Sequence, residues 1–272
     1  MLHKQNLHTH TTYVDGKDTP EEMVLAAMAK GFTAIGFSEH SYNPFSPICC
    51  KLTPDVMARY QAEIRRLKEK YRGRLEIFCG LEGEFFVDLS KDGYDYLIGS
   101  VHYLKFGDRY YSFDRGLPET LAYIREHFDG DSLRFAQAYF ADVARLSEKP
   151  CYDIIGHFDL ITKNNELGRF LDTGCKAYLD AGMEAIHALK GKIPFFEVNT
   201  GAVARGYRTT PYPQMDFLRE FGKCGFGAVI TSDCHDSALL GKGFGQAREL
   251  LLEAGFRTQW ILTEAGFREV SL

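Results

Sequence analysis

Residues 75–82, LEIFCGLE, and 94–102, YDYLIGSVH, are apolar runs of strand length, and each ends on an ionisable side chain, Glu82 in the first and His102 in the second. Near-continuous apolar character is the mark of a strand buried on both faces, the kind found in parallel sheets covered by helices. The pattern repeats outward in both directions. Thr33–Phe37 leads into Ser38-Glu39-His40, Tyr152–Gly156 into His157, Ile193–Val198 into Asn199, and Gly227–Ser232 into Asp233-Cys234-His235. Helical signals fill the gaps. Thr19-Pro20-Glu21-Glu22 supplies an N-cap, a proline at the first helical position and a capping-box Glu for a helix running to Lys30, closed by Gly31. Thr53-Pro54 opens a second helix, with Val56, Tyr60, Ile64 and Leu67 on one face. Further helices are expected at Ser132–Ser147, Cys175–Leu189, Pro213–Lys223 and Gly245–Ala254, and a last strand at Gln259–Leu262.

Alternating strands and helices predict a parallel sheet with helices outside it. So many units without a linker or repeat favour one closed or nearly closed barrel, with a doubly wound open sheet as the alternative. The 272 residues fit a single α/β domain of that kind. Only Phe106–Asp131, polar, Tyr-rich and Gly-containing, breaks the rhythm, and it reads as an insertion or lid over the site. In either architecture functional groups gather at the carboxyl ends of the strands, where this chain places His40, Glu82, His102, His157, Asn199 and Asp233.

Composition narrows the function classes. With 45% hydrophobic and 25% charged residues the chain has material for a large core and no signature of disorder. A net charge of -5 is the wrong sign for a protein whose affinity rests on neutralising nucleic-acid phosphates. No run is long and apolar enough for a bilayer, and the first residues lack the apolar core of a signal peptide, so a cytoplasmic protein without nucleic-acid or membrane partners is expected. Seven cysteines, with Cys49 and Cys50 adjacent and no CxxC, argue against a disulfide framework or a thiolate zinc site and for reduced, packed thiols.

The histidines carry the chemistry. In His8-Thr9-His10 strand alternation turns both imidazoles to one side, and in Asp233-Cys234-His235 it pairs a carboxylate with an imidazole while Cys234 turns away to pack. An HxH alone is also what exposed or core histidines produce, but here it is joined by His, Glu and His at successive strand ends. Counting Asp15, the candidate ligands are His8, His10, Asp15, His40, Glu82, His102, His157, Asp233 and His235. A single zinc uses about four ligands. This many N and O donors without thiolate point to two or three divalent ions, Zn, Fe or Mn, with a bridging carboxylate. Such a centre ionises a shared water near neutral pH and clamps the oxygens of a phosphoryl group, which makes phosphoester hydrolysis the natural reaction. His3, His127 and His187 fall outside strand ends and are expected to be structural or solvent-exposed, and Trp260 is expected in the core.

In order along the chain, HTHTTYVDG, GFSEHS, GLEGE, DYLIGSVHYL, GHFDLI, EVNTGAVARGYRTTPYP and TSDCH resemble the motifs of the polymerase-and-histidinol-phosphatase (PHP) superfamily, and within it the histidinol-phosphate phosphatases of the PHP type. The resemblance covers essentially the whole chain, so residues 1–272 are expected to form one PHP metal-dependent phosphatase domain. It implies an irregular (β/α)7 TIM-like barrel with a trinuclear metal centre. By that resemblance His8, His10, Glu82 and Asp233 hold one ion, Asp15, His40 and His235 a second, and Glu82, His102 and His157 a third. Some relatives carry a histidine where Asp15 stands, which makes the second site harder here.

The implied reaction is hydrolysis of L-histidinol phosphate to L-histidinol and phosphate, in histidine biosynthesis, with a bridging hydroxide as nucleophile and Asp233, His235 and Glu82 as catalytic residues. A small-molecule phosphate ester is thus the expected partner. A phosphate dianion also calls for a bidentate cation, for which Arg205 is the first candidate and Arg208 and Lys163 follow. Glu39 would orient His40 or meet a substrate amine, with a surface salt bridge as the plainer role. A PHP nuclease or polymerase-associated proofreading module, and a non-catalytic metal-binding domain, are the competing functions. The negative charge and absence of a second domain lower the first, and the complete ligand set lowers the other.

Overall fold

The computed structural model describes residues 3–46 and 52–272, so Cys49 and Cys50 lie outside the described residues. Its central element is a sheet of seven strands in the order β1 (Gln5–Asn6), β2 (Ala34–His40), β3 (Glu76–Glu84), β4 (Tyr96–Ser100), β7 (Ile154–Ile155), β8 (Phe195–Asn199) and β9 (Gly227–Thr231). Every neighbouring pair is parallel. The ends meet through a parallel bridge between Thr9 and Cys234, where the His10 amide donates to the Cys234 carbonyl and the Cys234 amide to the His8 carbonyl. The sheet is therefore a nearly closed barrel of seven strands, and the open-sheet alternative falls away.

Helices α1 (Pro20–Ala29), α2 (Pro54–Lys70), α4 (Ser132–Arg145), α6 (Lys176–Leu189), α8 (Met215–Cys224) and α9 (Phe244–Ala254) cover the outside. The capping box at Thr19 and Glu22 forms as its sequence requires. One strand face, including Ile35, Phe37, Ile77, Leu81, Leu97, Phe196 and Ile230, packs under these helices. The other fills the barrel with a smaller cluster of Leu7, Ala34, Phe78, Tyr96, Ile98, Ile154, Phe195 and Val229. Gly36 and Gly80 make room for the Tyr96 ring, which a Cβ at either position would strike. Because strand side chains alternate, the parity that points Phe78 inward also points Glu82 inward, two pleats further along. The apolar plug and the polar end of the barrel are thus built from one set of inward positions.

The stretch from Phe106 to Asp131 interrupts the alternation as an ordered insertion: it completes the hairpin β5 (Tyr103–Phe106) and β6 (Arg109–Ser112), brings Asp114 and Arg115 to the carboxyl end of the barrel, then forms α3 (Leu117–Phe128). His127 stacks on Phe106 there, inside an aromatic group with Tyr111 and Tyr123. The last strand does not join the barrel, since β10 (Thr258–Thr263) pairs with β11 (Gly266–Ser271) in a separate antiparallel hairpin. Trp260 is accordingly half-buried against Phe195 and not a core residue. Two short helices, α5 (Asn165–Gly168) and α7 (Gly201–Arg205), lie in the connections after β7 and β8, and α7 carries Arg205 toward the site.

Candidate metal centre

At the carboxyl end of the barrel all nine sequence-predicted ligands converge: seven gather around Glu82, and Asp15 joins them from the loop after His10. Glu82 is 1% exposed and has imidazoles on both oxygens. His157 Nε2 and His102 Nε2 lie 2.9 and 3.3 Å from its Oε1. His40 Nδ1, His8 Nε2 and His10 Nε2 lie 2.8, 3.4 and 3.6 Å from its Oε2. Asp233 Oδ1 approaches His10, His235 and His8 at 3.4, 3.5 and 3.6 Å. Asp15 stands between His40 and His235, 3.5 and 3.6 Å away. The donor atoms fall into overlapping groups: His10, Asp15, His40 and His235; His8, His10 and Asp233; His8, Glu82 and His157; His40, Glu82 and His102.

Strand alternation accounts for only part of this convergence. Glu82 and His40 are extended β residues, paired in register across β2 and β3. His8 and His10 instead leave a strand that ends at Asn6, and Asp233 has φ 43°, in the left-handed region. A non-glycine residue held there is strained and is retained where its surroundings fix it. The Asp233 and His235 side chains therefore meet through a turn, where the sequence had implied an extended DxH. Cys234 does turn away, 2% exposed, with its thiol toward the Asp236 carbonyl. Cys79, Cys151, Cys175 and Cys224 are also free.

The electrostatics fit a cation site. Burial opposes ionisation of Glu82 and Asp233, yet His8, His102 and His40 around the one, and Arg205 and His8 around the other, hold both carboxyls well below their usual range. Burial likewise opposes charging of His8 and His102, but the neighbouring carboxylates prevail: His8 is raised well above its ordinary value and His102 is pushed up to about 10. His10, desolvated and facing His235 and His40, is lowered to about 3. Buried His8 Nε2, both nitrogens of His10 and Glu82 Oε2 lack a hydrogen bond, although nitrogen and carboxylate atoms crowd around them. Desolvated lone pairs aimed at common points without hydrogen bonds are costly alone and are satisfied by divalent ions. The all-N/O donor set suits borderline or hard metals.

Side chains that the sequence reading passed over hold this centre in place. Glu197, fully buried, accepts from His8 Nδ1 at 2.9 Å, the His157 amide at 2.6 Å, Asn199 Nδ2 at 2.8 Å and Thr231 Oγ1 at 2.7 Å. With the His8 proton on Nδ1, Nε2 is left as the lone pair facing Glu82 and Asp233. Glu84 performs the same service for His102, 3.1 Å from Nδ1, and Ser100 Oγ donates to Glu82 Oε1 at 2.8 Å. The signal available was a carboxylate within an apolar run: Glu197 interrupts FFEVN, and Glu84 follows Glu82 at the same-face spacing.

A cavity of about 330 Å³ opens onto the cluster, lined by His40, Glu82, His102, His157, Asp233 and His235 together with Arg205, Lys163, Asp114, Arg115, Tyr103 and Tyr207. Arg205 meets the expectation of a cation at the site, but its guanidinium is tied to Asp233, Nη1 to the carbonyl at 2.7 Å and Nη2 to Oδ2 at 3.1 Å. Lys163 lines the cavity, paired with Asp114. Arg208 does not belong to the lining. It is 9% exposed, bonded to Thr162 and the Thr210 carbonyl, stacked over Tyr212 and 3.9 Å from the buried Asp159 carboxylate, so its charge is taken up within the protein. Glu39 is fully buried and bonded to Thr11; among the described residues it has no hydrogen bond to His40, does not line the cavity and makes no surface salt bridge. Burial pushes its carboxyl up to about 8. His187 is exposed and bonded to Glu220, remote from the cavity.

A nearly closed parallel barrel with a carboxylate-centred imidazole cluster at its carboxyl end defines a metal-dependent enzyme of the α/β-barrel class. The chain belongs to the PHP domain family, whose model matches residues 6–201. Asp233 and His235 lie beyond that match yet share its cluster. The Bacillus subtilis Histidinol-phosphatase is 33% identical over 89% of this chain and 97% of its own length. A Deinococcus radiodurans chain named Probable histidinol-phosphatase is 30% identical, covering 92% and 94%. Among solved structures, a histidinol phosphate phosphatase from Lactococcus lactis, complexed with Zn, L-histidinol and phosphate, superposes with a TM-score of 0.72 at 21% identity, covering 98% of this chain and 100% of its own. No helix among the described residues is long and apolar enough to cross a membrane.

Proposed function

We propose that residues 1–272 form one PHP phosphatase domain that hydrolyses L-histidinol phosphate to L-histidinol and phosphate at a centre of three divalent ions. The observation that carries this reading is Glu82, whose two oxygens face different sets of imidazoles: His102 and His157 on Oε1, His8, His10 and His40 on Oε2. In this reading His8, His10, Glu82 and Asp233 would hold one ion, Asp15, His40 and His235 a second, and Glu82, His102 and His157 a third, a partition of donors whose overlapping groups share His8, His10, His40 and Glu82. The substrate follows from the relatives, which carry the histidinol-phosphatase name over nearly the full length of this chain.

Bound ions supply a hydroxide nucleophile at neutral pH and neutralise phosphoryl oxygens. The protein supplies the rest. Glu197 and Glu84 fix the tautomers of His8 and His102, so that Nε2 of each points to Glu82. Arg205 orders Asp233 and presents its guanidinium at the cavity wall, where it meets a phosphoryl oxygen. Lys163 brings a second positive charge to the same space. Glu82, with imidazoles on both oxygens, would hold ions on either side, and Asp233 and His235 line the same cavity. Phosphate release is to be measured with histidinol phosphate, an aryl phosphate and a single-stranded oligonucleotide, with and without chelator. Chelator-sensitive turnover with histidinol phosphate strongly preferred is expected. Preference for the oligonucleotide, or no turnover by metal-loaded protein, overturns the reading.

A further inference from the structure

Asp114 and Lys163 face each other across the cavity wall, Nζ 2.6 Å from Oδ1, with side chains only 16% (Lys163) and 27% (Asp114) exposed. Their loops are fixed to one another next door. Asn164 Nδ2 donates to the Arg115 carbonyl at 2.8 Å and approaches Thr120 Oγ1 at 3.4 Å, while the Lys163 ammonium rests over the Tyr207 ring. Of the other carboxylates lining the cavity, Asp15, Glu82 and Asp233 are committed to the imidazole cluster. Glu84 is committed to the amide and ring of His102. Among the described residues, Asp114 is therefore the cavity carboxylate whose partner is a lysine ammonium of the same cavity.

We propose that this ion pair is a placeholder for a zwitterionic substrate, a phosphate monoester whose neighbouring carbon bears an ammonium group: the phosphate takes Lys163 and the ammonium takes Asp114. The inference rests on the reading of the site as a histidinol-phosphate phosphatase and adds Asp114 as the residue that selects for the amine. One internal pair is exchanged for two intermolecular ones, and no charge is left without a partner in the cavity. An ester lacking the amine takes Lys163 and strands the Asp114 carboxylate, and a poorly hydrated carboxylate without a partner is strongly disfavoured. Discrimination of this kind comes from the penalty on the wrong ligand as much as from attraction to the right one.

The test compares histidinol phosphate with its deaminated imidazolyl-propyl ester on the metal-loaded protein. Wild type is expected to favour the amine-bearing ester by about 10–100-fold in kcat/KM, the scale of a charge-assisted hydrogen bond. Asp114→Asn should lower kcat/KM for histidinol phosphate by about that factor, through KM, and raise it for the deaminated ester, because Lys163 no longer has to leave a partner. Lys163→Met should lower both, and His187→Ala neither. Parallel losses on both esters in Asp114→Asn would mark a structural residue and overturn the inference. Should Asp114→Asn not fold, wild type alone decides: phosphoethanolamine should inhibit at roughly tenfold lower concentration than ethyl phosphate, and equal inhibition overturns the proposal. Failure of wild type to turn over histidinol phosphate refutes the proposed function itself, a result distinguishable from turnover without amine selection.

Discussion

The two ends of the barrel are made by the same strands and the same inward-facing positions, yet they solve opposite problems. At the amino-terminal end Phe78, Tyr96, Ile98 and Val229 fill the interior, and the Tyr96 hydroxyl is bonded to the Leu7 and Phe37 carbonyls. At the carboxyl end Glu82, His8, His10 and His157 are just as buried, but several of their polar atoms have no hydrogen bond. The lower layer gains free energy from burial and from dense packing. The upper layer gives some of it up to keep lone pairs bare, an arrangement that only a bound cation repays. Stability and chemistry are separated along the barrel axis by a few residues of each strand.

That separation can be broken most severely at Glu82. Glu82→Gln is expected to remove measurable turnover and to lose two of the proposed ions at once, as elemental analysis will show. Full metal content in that variant refutes the bridging assignment. Arg205→Ala comes next, with kcat/KM falling by about 10²–10⁴. Because Arg205 also orders Asp233, its loss should weaken metal retention under dialysis as well, and Arg205→Lys should recover little since an ammonium cannot reproduce both contacts. Intact metal retention with reduced turnover would confine Arg205 to the substrate.

The plug sharpens the comparison from the other side. Phe78→Ala should cost about 3–5 kcal/mol of stability, read from denaturant unfolding, while kcat of the folded fraction stays near wild type. A large loss of kcat would show that the two layers are coupled.

Two pH effects follow from the upper layer. His8 and His102 are raised in the metal-free protein, so they hold protons near neutrality, and metal loading must displace them. Affinity for zinc should therefore increase as pH rises from 6 toward 9, roughly the range below the His102 value, and calorimetry in buffers of different ionisation enthalpy should register proton release. The smallest effect belongs to Glu39. Its folded value, about 8, exceeds the ordinary 4.5, so the folded form binds the extra proton and stability falls as pH rises between those values. Glu39→Gln should flatten that slope in thermal melts, and an unchanged slope would assign it elsewhere.

Much of this was legible because parallel strands announce themselves as apolar runs and end on the residues they deliver. His40, Glu82, His102 and His157 were found in that way. The hairpin at Tyr103–Ser112 and helix α3 were not, since their amphipathic patterns are interrupted by Gly107 and by aromatic residues that pack among themselves. The strand around Trp260 has the composition of a barrel strand, and only its partner, β11, removes it from the sheet.

The sequence by itself determined the alternation of strands and helices, the identity of the nine converging donors and the burial of Cys234, because these depend on local pattern and on residue chemistry. The tertiary structure alone decided which charges are free to act. Arg208 and Arg205 stand three residues apart, yet one is consumed by Thr162, the Thr210 carbonyl and Tyr212 while the other opens on the cavity. Glu39 and Glu82 both follow largely apolar runs in sequence, and one is walled in beside Thr11 while the other collects five imidazoles. A side chain's charge is written in the chain, but its partner is set by what long-range packing brings within a few ångströms, and electrostatic energy depends on that distance and on the exclusion of water.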